Sequence, residues 1–245
     1  MKMKKILLGT VGLMALGLAT SANAADMRAR APAYKAPVAV LAVYNWTGFY
    51  VGGQVGGLWG TTDAVSGPFP GVINQSYSYN LSGVAGGLHA GYNYQFSNLV
   101  VGAEADIEAS SVDNTGIGTL GYTHQTRMPW LGSVRARVGY AMDNTLLYVT
   151  GGWAYGHVEI TKATAPGAAP FAQFDDTRSG WTLGGGVEHA FAPNWTGRIE
   201  YRYTDLGTTD FTSVAANSQD SSTVKFHAVR AGISYKFGGP VVARY

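Results

Sequence analysis

The closing stretch of the sequence, Thr223 to Phe237, constrains the fold more than any other, because its second half alternates in polarity residue by residue. From Val229 onward, one face carries Val229, Ala231, Ile233, Tyr235 and Phe237, and the other carries Arg230, Gly232, Ser234 and Lys236. Successive side chains of a strand point to opposite sides, so the pattern predicts a strand with one apolar and one charged face. Such a strand suits a barrel wall with lipid outside and a polar lumen inside. Unpaired backbone groups are costly in lipid, so earlier strands must close a sheet with it.

Seven earlier segments are predicted as strands, which gives an all-β fold: an eight-stranded antiparallel up-and-down barrel that spans a membrane. Their predicted bounds are Thr47–Trp59, about Leu81–Phe96, Leu99–Ala109, Thr126–Tyr140, Leu146–His157, Gly180–Phe191 and Trp195–Asp205. The predicted tight turns are Ser97-Asn98, Asp143-Asn144 and Ala192-Pro193-Asn194. The predicted loops are residues 61–79, 110–125, 158–179 and 206–222. Short turns at one end and long loops at the other are typical of barrels in the outer membrane.

Ten charged side chains fall on the inward face of these strands. The acids are Glu104, Asp106, Glu108, Glu188 and Glu200, and the bases are Arg135, Arg137, Arg198, Arg202 and Arg230. An eight-stranded barrel is only wide enough for its own side chains, and buried charges need partners. We therefore expect a salt-bridged lumen in which Arg135 and Arg137 face the three acids of the third strand. Two functions remain open: a structural core that plugs the barrel, or a narrow porin that passes small solutes or ions when pairs exchange.

A soluble barrel of the lipocalin type is the alternative architecture, and it would turn the apolar faces inward. Aromatic residues cluster at both ends of the predicted outward faces, as in the two interfacial girdles of a membrane barrel. Charged residues make up only 13% of the chain. The sequence therefore favours the membrane barrel.

The N-terminal residues 1–24 have the features of a secretory signal peptide. Lys2, Lys4 and Lys5 precede a short apolar run, and Ala22-Asn23-Ala24 has the small-residue pattern of a cleavage site. We predict cleavage after Ala24; the apolar run is short for the alternative, a transmembrane anchor. Residues 25–44 are predicted as an Ala/Pro-rich periplasmic linker with a possible contact to the cell wall. Residues 45–237 form the predicted barrel and 238–245 a short C-terminal extension.

Charge and motif content argue against several classes of function. Three of the 17 basic residues lie in the predicted signal peptide, which leaves 14 against 15 acidic residues; that balance argues against a nucleic-acid partner. The chain has no cysteine and hence no disulfide. Gly116 to Gly121 matches the dinucleotide fingerprint in letters only, because it lies in a predicted loop with no following helix. The five histidines are scattered and no cluster has metal-ligand spacing, so we predict no enzyme, metal or cofactor.

Several segments resemble a known family. These segments are 44–53, 101–106, 135–140, 147–152 and 235–237, and they are similar to the small Gram-negative outer-membrane β-barrels known as porin-family or outer-membrane immunogenic proteins. Arg230, Gly232, Tyr235 and Phe237 resemble the assembly signal that ends such barrels, although here residues 238–245 follow the aromatic.

The resemblance implies an outer-membrane location and a structural or surface-antigen role. The implied partners are outer-membrane lipid, periplasmic chaperones and the barrel-assembly machinery. Some relatives bind haem or host molecules, so ligand binding through the external loops, near His124 and His157, is a further alternative.

Overall fold

The computed structural model describes residues 44–66, 75–117, 123–164, 167–213 and 218–238. Within these ranges eight antiparallel strands close into a barrel, in which each strand pairs with its neighbours in sequence and the last pairs with the first. The strands are β1 Gly48–Ser66, β2 Gln75–Phe96, β3 Leu99–Ile117, β4 Thr123–Met142, β5 Thr145–Ala163, β6 Pro170–Ala192, β7 Trp195–Ser213 and β8 Ser218–Lys236. The predicted fold class is confirmed. No helix in these ranges is long and apolar enough to cross a membrane.

The three tight turns lie at one end of the barrel, as predicted. The chain turns at Ser97-Asn98, Asp143-Asn144 and Pro193-Asn194. Ser97 and Asp143 adopt positive φ angles of 52° and 51°, a left-handed conformation that Asp tolerates better than most residues. We call this end, which also carries the N-terminal entry at Tyr44, the turn end, and the other end the loop end.

The strands extend further at the loop end than the sequence predicted, so the predicted loop bounds are wrong. β3 continues to Ile117, β6 begins at Pro170 and β7 ends at Ser213. Above the membrane the outward face no longer needs apolar residues, and the alternation that identified the strands stops there. The backbone ladder continues because inward residues such as Leu206 and Val158 still pack in the interior.

Side chains alternate between the lipid-facing wall and the interior. Outward Leu88 and Ile199 are 67% and 64% exposed, whereas inward His89 and Glu200, their neighbours in the sequence, are 2% and 1% exposed. The apolar residues therefore face outward and the charges inward. The soluble alternative requires the opposite arrangement and is wrong.

The interior consists of three layers stacked along the barrel axis. At the turn end lies the turn-end plug, which comprises Tyr44, Trp46, Val100, Ala141, Leu146, Tyr148 and Ala190. Next is the ion-pair layer, formed by the ten charged residues that the sequence predicted to face inward. Toward the loop end lies the apolar layer, which comprises Leu58, Leu81, Ala85, Val112, Met128, Leu131, Ala154, Val158, Ile160, Leu206, Val224, Phe226 and Ala228.

Several predicted segments lie outside the described residues. They are the signal peptide with its cleavage site at Ala22 and Ala24, the linker up to residue 43, and the C-terminal extension from residue 239. These remain predictions. Tyr44, the last residue of the predicted linker, is 9% exposed and packs in the turn-end plug, so the linker boundary at residue 44 is wrong. Burial in the barrel end removes the aromatic ring from water, which is favourable, whereas an extended linker would leave the ring exposed.

Candidate functional site: the charged lumen

The structure brings all ten predicted lumen charges together in the ion-pair layer, each 4% exposed or less. Glu104 of β3 lies at the centre of one group. One of its carboxylate oxygens accepts from Arg135 Nη2 at 2.5 Å, and the other accepts from Arg198 Nη1 and from the Tyr50 hydroxyl, the latter at 2.8 Å. Arg198 reaches Glu104 across the lumen from β7, so this contact joins opposite walls of the barrel.

Four of the charges form a closed ring of alternating sign. Arg135 contacts Asp106 and Glu200 at 3.0 Å each, and Arg202 contacts the same two acids at 3.2 and 2.7 Å. The Ser133 hydroxyl donates to Asp106 at 2.6 Å. Each carboxylate in the ring therefore faces two guanidinium groups, and the ring ties β3, β4 and β7 together.

Arg230 and Glu108 form a bidentate ion pair beside the ring. Arg230 Nε and Nη2 donate to the two carboxylate oxygens of Glu108 at 2.8 and 2.7 Å, a planar geometry that strengthens such pairs. Gln54 connects this pair to the Glu104 group, because its amide donates to Glu108 at 2.6 Å and accepts from Arg198 at 2.5 Å.

Arg137 pairs with Glu188 of β6, and the expectation that it faces the acids of β3 is wrong. Its guanidinium carbon lies 3.7 Å from the centroid of the Tyr148 ring, which suits a cation above an aromatic face. The Thr196 hydroxyl donates to Glu188 at 2.5 Å. This pair lies next to the turn-end plug.

The sequence reasoning missed the neutral members of the network. Tyr50, Gln54, Ser133, Tyr148 and Thr196 each hydrogen-bond to one of the lumen acids. Their inward position on a predicted strand was the available signal. The acid to which each one hydrogen-bonds depends on distances across the lumen, and the alternation of residues along a strand gives no information about those distances.

The turn-end plug closes the barrel on the side of the tight turns. The Trp46 amide donates to Gln95 Oε1 at 2.8 Å, and Lys236 Nζ donates to the Asn45 carbonyl. Lys236 also lies 4.6 Å from the centroid of the Tyr44 ring. Gly48, with φ of 141°, redirects the chain from the plug into β1. Burial, with a smaller effect of Glu188, raises the pKa of Tyr44 from 10.0 to about 12.

The residues of the predicted assembly signal divide between the two faces of β8. Arg230 is buried in the ion-pair layer and Gly232 lies against Gln54 and Arg198. Tyr235 and Phe237 face outward at the turn end, with ring centroids 5.2 Å apart. The Phe237 amide donates to the Phe49 carbonyl at 2.8 Å and so continues the seam between β8 and β1. Their part in assembly stays a prediction.

One histidine and one serine meet inside the lumen, which the sequence did not indicate. His89 Nε2 and Ser234 Oγ lie 2.8 Å apart. The other ring nitrogen, Nδ1, has no hydrogen-bond partner among the described residues. Asp106 pairs with His89 in strand register, but its carboxylate is held by Ser133, Arg135 and Arg202. The contact therefore lacks the acid that orients the base of a catalytic triad.

The two loop-end histidines do not form a ligand pair. His124 is buried inside the barrel, whereas the His157 ring stacks on the outward Trp130 at a centroid distance of 5.9 Å and an angle of 3°. The barrel wall separates the two rings. In the part of the chain that the structure describes, no group of three His, Asp or Glu side chains is arranged to hold a metal ion.

Comparison with known proteins agrees with this architecture. The family profile described as "Outer membrane protein beta-barrel domain" matches residues 13–237. The 31 kDa outer-membrane immunogenic protein of Brucella melitensis biotype 1 is 39% identical over 96% of this chain and its own full length. The 22 kDa outer membrane protein of Rhizobium leguminosarum bv. viciae is 34% identical over 79% of each chain. Among solved structures, Neisserial surface protein A matches 78% of this chain and 98% of its own, with 16% identity and a TM-score of 0.40.

Proposed function

The chain belongs to the outer-membrane β-barrel protein family and is located in the outer membrane of the cell, and we propose that it serves there as a structural, surface-exposed barrel whose lumen is closed to solutes. Its relatives are named outer-membrane immunogenic proteins. Those names support a surface-antigen role for this chain as well.

The observation that carries the proposal is the filled interior. Arg135 and Arg202 are each 2% exposed or less, and so are Val224 and Phe226 of the apolar layer. An ion that entered from the loop end would first have to pass the apolar layer, where Val224 and Phe226 are packed together with a few buried polar side chains such as Thr62 and Arg178. It would then have to separate buried ion pairs, and finally to pass Trp46. The alternative of a narrow porin has no comparable observation in its favour.

The position of the charges supports a structural role for the lumen. Contacts such as Glu104–Arg198 and Asp106–Arg202 connect strands that are not neighbours in the sheet. They therefore brace the barrel across its diameter, which the backbone ladder alone cannot do. We propose no catalytic role, because among the described residues the buried contact between His89 and Ser234 lacks an orienting acid. We propose outer-membrane lipid, periplasmic chaperones and the barrel-assembly machinery as partners.

Exposure at the cell surface is tested by labelling intact cells with antibodies raised against the folded barrel. The loop end carries exposed charged side chains on its outer wall, among them Arg127 and Asp175, and we expect antibodies to reach this end. Labelling should occur on intact cells. A monoclonal antibody whose epitope includes Arg127 and Asp175 should no longer label cells in which these two residues are replaced. Labelling that requires permeabilised cells would contradict surface exposure.

A further inference from the structure

A groove of about 680 Å³ opens on the outer wall near the loop end, where β7, β8, β1 and β2 lie side by side. Strand register places its residues in rows across the wall. In the middle row, Trp59 of β1 pairs with Ser82 of β2 and with His227 of β8, and His227 pairs with Tyr203 of β7. Trp59 and His227 are stacked, with centroids 6.0 Å apart and an angle of 16°. From Tyr203 a belt of outward aromatic rings continues around the wall through Trp181, Trp153 and Tyr155, and we call this belt, including the Trp59 row, the loop-end aromatic girdle.

The row on the loop side of the girdle is polar and carries a cation. Thr61 pairs with Asn80 on one side and with Lys225 on the other. Lys225 Nζ lies 3.7 Å from the Asp205 carboxylate, and its side chain is 44% exposed. That distance is too long for a hydrogen bond, so the three donors of the ammonium group can serve a ligand in the groove.

The row on the membrane side of the girdle is apolar and contains an open position. Gly57 pairs with Val84 and with Val229, and a Cβ atom added to Gly57 would meet no heavy atom within 4 Å. The wall therefore has a shallow recess among aliphatic side chains, directly below the aromatic row.

His227 adds a second donor at the centre of the groove. Its Nδ1 lies 2.6 Å from the Tyr201 hydroxyl. When that hydroxyl donates to Nδ1, the neutral ring carries its proton on Nε2, which leaves Nε2 as a donor. Together with Lys225 and the Asn80 amide, this makes a set of donors suited to the oxygen atoms of a phosphate group.

The order of the three rows matches the order of groups in a membrane lipid. Girdle residues lie at the boundary between hydrocarbon and headgroups, so the recess at Gly57 faces acyl chains and Lys225 faces headgroups. We propose that this groove binds a phosphate-bearing lipid of the outer leaflet, with one acyl chain over Gly57, the aromatic row against the glycerol or sugar region, and the phosphate at Lys225 and His227.

On the opposite part of the wall, a cation also lies on the loop side of the aromatic girdle, but its surroundings do not suit a phosphate group. Arg127 of β4 lies 3.3 Å from Asp113 and 3.7 Å from Glu159. Strand register joins Asp113, Arg127, Glu159 and Asp175 in one row, with three acids to one base. A phosphate there would meet net negative charge. Arg127 is therefore a matched control for Lys225.

The proposal is tested on the full barrel, without residues 1–24, in bilayer discs of zwitterionic lipid. The probes are lipid A with its phosphate groups, the same lipid after enzymatic dephosphorylation, and inorganic phosphate, and native mass spectrometry counts the bound lipid. We expect the phosphorylated lipid to bind about tenfold more tightly than its dephosphorylated form, the ratio that one charge-assisted hydrogen bond provides. Lys225→Gln should abolish this preference and Arg127→Gln should keep it.

Three results would overturn the proposal. The two lipids could bind equally well to the unchanged protein, or both variants could lose the preference to the same extent, which would indicate a general charge effect. Inorganic phosphate could also displace the lipid, which would indicate a site for a free anion. Unchanged melting of both variants controls for folding, since both side chains are exposed.

Discussion

Glu104→Gln tests the ion-pair layer most sharply, because it removes one charge while almost preserving the shape of the side chain. Glu104 is the acid that contacts Arg198, and its replacement leaves Arg198 with neutral acceptors such as the Gln54 oxygen in place of a carboxylate. Arg135 loses one contact but retains Asp106 and Glu200. Breaking a buried ion pair at one partner typically costs about 3–5 kcal/mol. We therefore expect the free energy of unfolding to fall by about that amount, chiefly through Arg198.

The matched control is Glu159→Gln, the same chemical change in an exposed ion pair. Glu159 lies 3.7 Å from Arg127, and the two side chains are 36% and 56% exposed. Exposed pairs contribute only about 0.2–1 kcal/mol. Urea unfolding of the barrel in lipid bilayers, followed by tryptophan fluorescence, measures both variants.

A second substitution distinguishes a lost charge partner from a lost contact. In the Glu104→Gln background, Arg198→Met removes the guanidinium that has lost its acid. We expect this change to restore part of the stability, because replacing a buried pair by apolar groups is often neutral. Equal effects of Glu104→Gln and Glu159→Gln, or a further loss with Arg198→Met, would refute the reasoning.

Three further predictions concern the seam, the plug and the closing strand. Gly56→Ala should reduce the yield of folded, heat-modifiable barrel, because its Cβ would overlap the Val229 carbonyl and Arg230; Gly57→Ala, which meets no atom, should not. Tyr44 has its pKa raised to about 12, so its contribution to stability is complete below pH 10 and is lost as the pH rises toward 12; Trp46 fluorescence should show a transition there that Tyr44→Phe removes. Deletion of residues 223–237 should block membrane insertion, and normal assembly of that truncation would disprove the closing-strand assignment.

The faces of the strands could be predicted from the sequence because lipid imposes a strict rule on them. Every second residue of a membrane strand contacts hydrocarbon, so Leu88 and Ile199 had to be apolar while His89 and Glu200 did not. The tight turns could be predicted for a related reason, since Asp143-Asn144 interrupts the alternation with residues that suit a turn.

The extent of the strands and the plug could not be predicted, because neither is controlled by lipid. Beyond the membrane the outward residues of β3 and β7 become polar, and the alternation that marks a strand is lost although pairing continues. Trp46 lies in a segment without a repeating pattern, and its burial depends on the closed barrel end. The pair Arg137–Glu188 joins β4 to β6, which the pairing of neighbouring strands does not specify.

In the lumen, the inward charged residues could be predicted from the sequence, but the contacts among them across the barrel could not. The equal number of five acids and five arginines on inward positions predicted complete pairing, and the structure pairs all ten. The closed ring of Arg135, Asp106, Arg202 and Glu200 required the curvature of the barrel to bring β7 opposite β3. The contact between His89 and Ser234 likewise joins β2 to β8 across β1.

Planar-bilayer conductance of the refolded barrel tests the central claim, that the interior is closed by three independent layers. We expect no stable conductance steps from the unchanged protein. We expect none from Arg137→Ala either, although this variant should be less stable, because the apolar layer at Phe226 and Val224 remains intact. Stable steps from the unchanged protein, altered in size by Arg137→Ala, would contradict the account and would show that the charged lumen conducts.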